Sequence, residues 1–252
     1  MKILALGNSF SQDATRWLHD IAAAQGVDML VGNLVIGGCP LELHDKNIRE
    51  DNQTYIYEKT GCELRYISIR EALLEEEWDA VTFQQASHFS GLYETYQPYL
   101  KRISEYVRGI RPNARQWIHE TWAYEIDSDH PGFASYGRDQ KKMYEMLRAS
   151  YEKAALDIGA PILPCGTAFQ IARSMPEFDY ANGGMSLNRD GFHASWTYGR
   201  YMLGCVWLEM LTGESCLGNG FVPVWEQEDT PDKEKLARLQ EAAHRAVMKR
   251  KA

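Results

Sequence analysis

Short apolar runs alternate along the chain with longer segments in which apolar residues recur at helical spacing. Lys2 to Leu6 is apolar after its first residue and predicts a strand. Gln12 to Gln25 places Trp17, Leu18, Ile21 and Ala22 on one helical face, and Asp28 to Ile36 predicts a second strand. Trp78 to Gln84, Ala114 to His119 and Ala160 to Pro164 predict three more. Glu94 to Ile110 carries Tyr96, Tyr99, Leu100, Ile103 and Val107 on one face. Arg111-Pro112 ends that helix, because the residue before proline is pushed out of the helical region. Arg138 to Ile158 predicts another helix. Trp196 to Leu211 is apolar nearly all round, the mark of a buried helix.

This alternation predicts βαβ units and a parallel sheet. Two segments lie outside it. Thr54 to Ile69 predicts a β-hairpin turning at Lys59-Thr60-Gly61, and Asp229 to Lys251 an amphipathic C-terminal helix. No internal repeat or Pro/Gly/Ser-rich linker interrupts the 252 residues, so 1–252 reads as a single domain.

Composition narrows the class of partner. A formal charge of -8, with acidic residues spread over the chain, provides no basic stripe to neutralise phosphates, so nucleic acid is not an expected partner. No apolar run approaches the roughly 20 residues of a spanning helix, and the acidic balance disfavours an anionic membrane surface. The five cysteines contain no CxxC pair and signal neither a disulfide framework nor a zinc site. MKILALGNSF reads as a strand and a turn and not as a signal peptide, so the expectation is a cytoplasmic protein; an exported protein whose leader has been removed is the alternative.

Four short segments carry candidate chemistry. GNSFS, Gly7 to Ser11, lies where the first strand gives way to the first helix, at the edge where open α/β sheets bind ligands. A serine there can expose its hydroxyl while its own N–H faces a developing oxyanion. The competing reading is that Ser9 or Ser11 merely caps the helix. A serine nucleophile needs a base, and two D-x-x-H spacings offer one: Asp127 to His130 and Asp190 to His193. The first runs into Pro131-Gly132 and reads as a solvated loop. The second lies between the fifth strand and the buried helix, which favours His193 as the base. Gly37-Gly38-Cys39 follows the second strand, where a glycine N–H can approach a ligand, and Gln84-Gln85-Ala86-Ser87 ends the third, where an amide can donate to an oxyanion.

A serine after strand one, a glycine after strand two, an amide after strand three and a late D-x-x-H, in that order, resemble the four blocks of the SGNH (GDSL-like) hydrolases. The resemblance spans Lys2 to about Leu211. It implies a three-layer α/β/α sandwich around a five-stranded, mainly parallel, flavodoxin-like sheet, with the hairpin and C-terminal helix as additions. It also implies Ser9 as nucleophile, Asp190 and His193 as acid and base, and an oxyanion hole formed by Ser9, Gly38 and Gln84, with Gln85 as the alternative amide. Asn8 stands where block one often has Asp. QQAS stands where block three usually reads G-x-N-D, and is closer to the Q-G-E-S variant of the sialate O-acetylesterase and related carbohydrate esterase branches.

The function this implies is a serine esterase that removes acetyl groups from a small-molecule or carbohydrate ester, with no cofactor and no metal. Gln85, Trp122 and Tyr124 are candidate substrate contacts, although the aromatic segment His119 to Tyr124 reads first as core. One alternative keeps the triad and gives it a lipid or thioester acyl chain. Another is a flavodoxin-like module whose GNSFS turn cradles an anion or nucleotide and breaks no bond, which leaves Asp190 and His193 without a role.

Overall fold

The strands β1 (Lys2–Gly7), β2 (Leu30–Val35), β3 (Tyr55–Lys59), β4 (Cys62–Ile67), β5 (Ala80–Phe83), β6 (Arg115–His119) and β7 (Ile162–Leu163) form one seven-stranded sheet in the order β4-β3-β2-β1-β5-β6-β7. The structure is a computed structural model that describes residues 1–226, 228 and 230–251. β1 pairs in parallel with β2 on one side and β5 on the other, so Ile3, Leu4, Ala5 and Leu6 are buried on both faces. That placement explains the unbroken apolar run, since a central parallel strand has no solvent face to supply polar alternation. β5, β6 and β7 continue the parallel ladder.

The strand count exceeds the five expected because the hairpin joins the sheet. β3 runs antiparallel to β2 and β4 antiparallel to β3. Covering the outer edge of β2 satisfies its backbone groups, and Tyr55 and Tyr57 of β3 become fully buried. The hairpin turns at Thr60-Gly61, both at positive φ, as a two-residue primed turn requires.

The helices form two sets. α1 (Ser9–Thr15) and α2 (Leu18–Ala24) pack with α7 (Cys165–Arg173), α8 (Tyr198–Thr212) and α9 (Lys233–Lys251); α3 (Leu41–Glu50), α4 (Ile69–Glu75), α5 (Tyr99–Ile110) and α6 (Gln140–Ile158) pack with one another. Right-handed crossovers that run in opposite directions on the two sides of β1, from β1 to β2 and from β5 through β6 to β7, put the two sets on opposite faces, giving the three layers expected. α8 is buried nearly all round, between α9, α1 and α2.

Several boundaries differ from the sequence pattern. The helix expected over Gln12 to Gln25 breaks at Arg16-Trp17, where the Trp17 indole donates to the Trp196 carbonyl at 3.0 Å. The helix expected from Glu94 is a 3₁₀ turn over Tyr93–Tyr96, then α5, because Pro98 cannot continue the ladder. Of the expected C-terminal helix, Lys233–Lys251 is helical and Asp229 lies outside the described residues. No helix among the described residues is long and apolar enough to cross a membrane.

Sheet order reverses at β1, between β2 and β5. The carboxyl ends of those three strands carry Gly7-Asn8-Ser9, Ile36 to Cys39 and Gln84-Gln85, so three distant segments of sequence meet at one crevice.

Candidate active site

The turn between β1 and α1 is capped by Asn8. Its Oδ1 accepts the Phe10 N–H at 2.9 Å, and its Nδ2 donates to the Cys39 carbonyl at 3.1 Å. Neither serine serves as the cap. Ser11 is fully buried and donates to Asn33 Oδ1 at 2.7 Å, whereas Ser9 is half-buried. Phe10 roots the turn: it stacks on Trp122 at 4.2 Å, and Trp122 stacks on Phe169 at 4.9 Å.

The hydroxyl of Ser9 meets His193. Ser9 Oγ lies 2.8 Å from His193 Nε2, and His193 Nδ1 lies 2.7 Å from Asp190 Oδ2. With Nδ1–H donated to a carboxylate, Nε2 is left as the acceptor for the serine proton. Asp190 also accepts the backbone N–H groups of His193 at 2.8 Å and Phe192 at 3.2 Å through Oδ1. Partial burial pushes the Asp190 carboxyl up, but the bonds from His193 and Phe192 outweigh it and hold the group below the usual carboxylate range.

The loop that carries this pair is tied to α1. Asp13, fully buried on α1, accepts the Ala194 N–H at 2.9 Å and pairs with Arg189 at 2.9 Å and Arg200 at 2.8 Å. Asn188 and Ala194 form an isolated β-bridge that closes the loop at its base. The other D-x-x-H does not form a pair. Asp127 accepts the Tyr180 hydroxyl at 2.9 Å, and His130 Nδ1 accepts the Gly132 N–H at 3.0 Å.

A second turn, after β2, adjoins the serine turn. Gly38 adopts φ +63, a conformation side-chain-bearing residues rarely take, and this turn is held against the serine turn by the Asn8 to Cys39 bond. Among the described residues, no acceptor engages the N–H of Ser9 or of Gly38. Gln84 is buried; its Nε2 donates to Asn8 Oδ1 at 2.7 Å and its Oε1 accepts His119 Nδ1–H at 2.7 Å. Because Asn8 Oδ1 already accepts from Phe10, the Gln84 atom facing it must be the NH₂ group, which leaves that nitrogen one further proton. Burial pushes His119 down to about 3, so it stays neutral and fixes the amide.

Three expected substrate contacts are corrected by burial. Gln85 is fully buried, with Oε1 accepting from Leu41 and Ala86 N–H and Nε2 donating to Thr95. Its amide is committed to holding loops and is not free to serve as an alternative oxyanion donor. Trp122 and Tyr124 are likewise 0% exposed and offer no surface to a ligand. The Trp122 indole instead donates to the Phe192 carbonyl at 2.8 Å, and the Tyr124 hydroxyl meets Ser87 Oγ at 2.8 Å. Both aromatic rings thus form the support beneath the His193 loop. Asp13, Arg189 and Arg200 escaped the sequence reading, although a carboxylate between Phe10 and Trp17 on an apolar helical face is the signal that points to a buried ion pair.

A crystal structure of a DUF4886 family protein from Bacteroides uniformis is 38% identical, with a TM-score of 0.90 over 98% of this chain and 95% of that one. A protein from Slackia heliotrinireducens assigned as an SGNH hydrolase is 22% identical, with a TM-score of 0.56 over 84% of this chain and 98% of that one. An acetylxylan esterase from Geobacillus stearothermophilus is 14% identical, with a TM-score of 0.52 over 84% of this chain and 94% of that one. The fold is that of the SGNH hydrolases. No curated protein matches the sequence. A family model described as a domain of unknown function, DUF4886, matches residues 2–246, and the chain belongs to that family.

Proposed function

We propose that the chain is a serine ester hydrolase that removes acetyl groups from a carbohydrate. The observation that carries this reading is the hydrogen-bonded series Ser9 Oγ to His193 Nε2 at 2.8 Å and His193 Nδ1 to Asp190 Oδ2 at 2.7 Å, at the carboxyl edge of β1. Ser9 Oγ attacks the ester carbonyl as its proton passes to His193 Nε2, and the developing imidazolium is stabilised by Asp190. The carbonyl oxygen becomes an oxyanion held by the N–H groups of Ser9 and Gly38 and by the second Nε2–H of Gln84. His193 then returns the proton to the leaving alkoxide oxygen, freeing the alcohol and an acetyl-Ser9 ester. Water attacks that ester with His193 again as base, which releases acetate and restores Ser9.

The acetyl and carbohydrate preferences are supported by the QQAS segment and by the likeness in fold to an acetylxylan esterase. The test is covalent labelling with a fluorophosphonate, followed by hydrolysis of acetyl and octanoyl nitrophenyl esters. Labelling that maps to Ser9, disappears in Ser9→Ala and accompanies faster acetyl hydrolysis is the expected outcome. Faster octanoyl hydrolysis would move the substrate to an acyl lipid or thioester. Absence of labelling together with tight binding of a nucleotide or flavin would replace the enzyme with a binding module.

A further inference from the structure

Four half-buried rings run outward from His193 in an unbroken series. Phe192 lies 4.2 Å from the His193 ring, His130 lies 4.8 Å from Phe192, His88 lies 6.0 Å from His130, and Phe89 lies 4.1 Å from His88. They come from two loops, one after β5 and one after β6, together with the Asp190 loop. The fully buried Tyr124 backs the series, 4.8 Å from His130 and 5.8 Å from Phe192. The loops are built for this approach. A Cβ at Gly132 would lie 2.4 Å from His88 Cβ, so only glycine lets the His130 loop rest there. The Tyr136 hydroxyl donates to the His88 carbonyl at 3.0 Å and accepts the Gly91 N–H at 3.0 Å.

The hydrogen bonds also assign the proton on His130. Nδ1 accepts the Gly132 N–H, so the neutral ring carries its proton on Nε2. Burial, reinforced by the neighbouring imidazole in each case, holds both His88 and His130 below the ordinary histidine range. Both rings are therefore neutral near neutral pH, and His130 presents a fixed N–H donor beside flat ring faces.

We propose that Phe192, His130, His88 and Phe89 form the subsite for the leaving alcohol, and that this alcohol is a hydroxyl-bearing ring, a pyranose or similar cyclic polyol. The assignment rests on the esterase reading above. His193 takes the serine proton and must hand it to the leaving oxygen, so the alcohol departs against the His193 side of Ser9. The carbonyl oxygen is the atom that takes the N–H donors assigned above to Ser9, Gly38 and Gln84. The ring series starts at His193 itself, with Phe192 4.2 Å from its ring. Its flat faces suit the C–H face of a sugar ring, and His130 Nε2–H suits a ring hydroxyl as acceptor. A saturated chain would leave that donor without a partner.

His130→Asn separates this role from a structural one. The Asn side chain keeps a short-range acceptor for the Gly132 N–H and removes both the Nε2–H donor and the ring. The variant and the parent are assayed on a mono-acetylated methyl pyranoside, phenyl acetate and ethyl acetate, which share one acyl group, and the folded fraction is counted by fluorophosphonate titration of Ser9. The expected result is a fall of about fivefold to tenfold in the kcat/KM ratio of pyranoside to ethyl acetate, carried by KM, the size of one lost neutral hydrogen bond. An unchanged ratio overturns the subsite, and so does a loss confined to phenyl acetate, which would show a platform for aromatic alcohols instead. Failure of the parent protein to label at Ser9 or to hydrolyse any of the three acetates sinks the esterase reading and this assignment with it.

Discussion

Asp13 accepts the backbone N–H of Ala194 at 2.9 Å, joining the helix that begins with Ser9 to the loop that ends with His193 across 181 residues of sequence. The same carboxylate pairs with Arg189 and the buried Arg200. Both halves of the Ser9–His193 contact are thus referenced to one fully buried side chain. Asp13→Ala leaves two cations facing an empty site, and breaking a buried pair of this kind costs about 3–5 kcal/mol. Urea unfolding should show that loss, and labelling of Ser9 in the remaining folded protein should slow as the His193 loop drifts. A variant with the parental unfolding midpoint would rule out this anchoring role.

Gln84 and Gln85 are adjacent and both buried, yet they should fail in different ways. Gln84→Ala removes the amide that faces Asn8 and leaves His119 Nδ1–H without an acceptor. Turnover should fall about 10²- to 10³-fold, the cost of one oxyanion donor, with roughly 1–3 kcal/mol of stability lost as well. Gln85→Ala deletes bonds to Leu41, Ala86 and Thr95, so its loss should be in stability, with turnover per folded molecule near the parental value. Measuring turnover against titrated Ser9 separates the two, and the opposite pattern would transfer the donor to Gln85.

The elements that were legible in the sequence are those whose burial is apolar. β1 and α8 stood out because both are buried nearly all round by apolar side chains. α3 did not, because the face it buries holds His44, Asp45 and Asn47 beside Leu41, and His44 and Asn47 bond the Tyr55 hydroxyl. No apolar stripe marks a helix whose buried face is polar. At the site, Asp190 and His193 were legible because their spacing is local, as was the turn that exposes Ser9. The Asp13 tie spans the chain and has no local signature. Trp122 and Tyr124 could not be assigned from composition, since the same rings serve as platform or as core, and only packing decides between them.

Glu120 should make stability depend on pH. It is 3% exposed, and burial pushes its carboxyl up to about 7 against the opposing pull of the Thr167 hydroxyl and N–H and of Arg148 and Arg250. Tyr144, Glu152 and Lys249 share its small cleft. In the unfolded chain a glutamate titrates near ~4.3, so between roughly pH 4.5 and pH 7 the folded state retains a proton that the unfolded state has released. Stability from this group therefore falls as pH rises through that window and levels off above it. Glu120→Gln keeps an acceptor for Thr167 and removes the titration. Relative to the parent, the variant should gain up to about 3 kcal/mol between pH 4.5 and pH 7.5. Parallel stability curves from urea unfolding at the two pH values would refute it.

The two D-x-x-H segments offer an internal control for the proposed triad. His193→Ala should reduce kcat/KM about as far as Ser9→Ala, because residues that act as a unit lose their effect together and the losses do not add. Asp190→Asn should cost less than either, yet still orders of magnitude, since an amide facing Nδ1 no longer selects the tautomer that leaves Nε2 free for the serine proton. His130 has neither relation: its Nδ1 is occupied by the Gly132 N–H, and Asp127 is bonded to Tyr180. His130→Ala should consequently lose far less activity than His193→Ala on any acetate, and should still label at Ser9. Steady-state kinetics of the four variants, normalised to folded protein, provide the comparison. An inactive His130→Ala beside an active His193→Ala would mean that the 2.8 Å contact between Ser9 and His193 is not the one that moves the proton, and would transfer the base to the loop after β6.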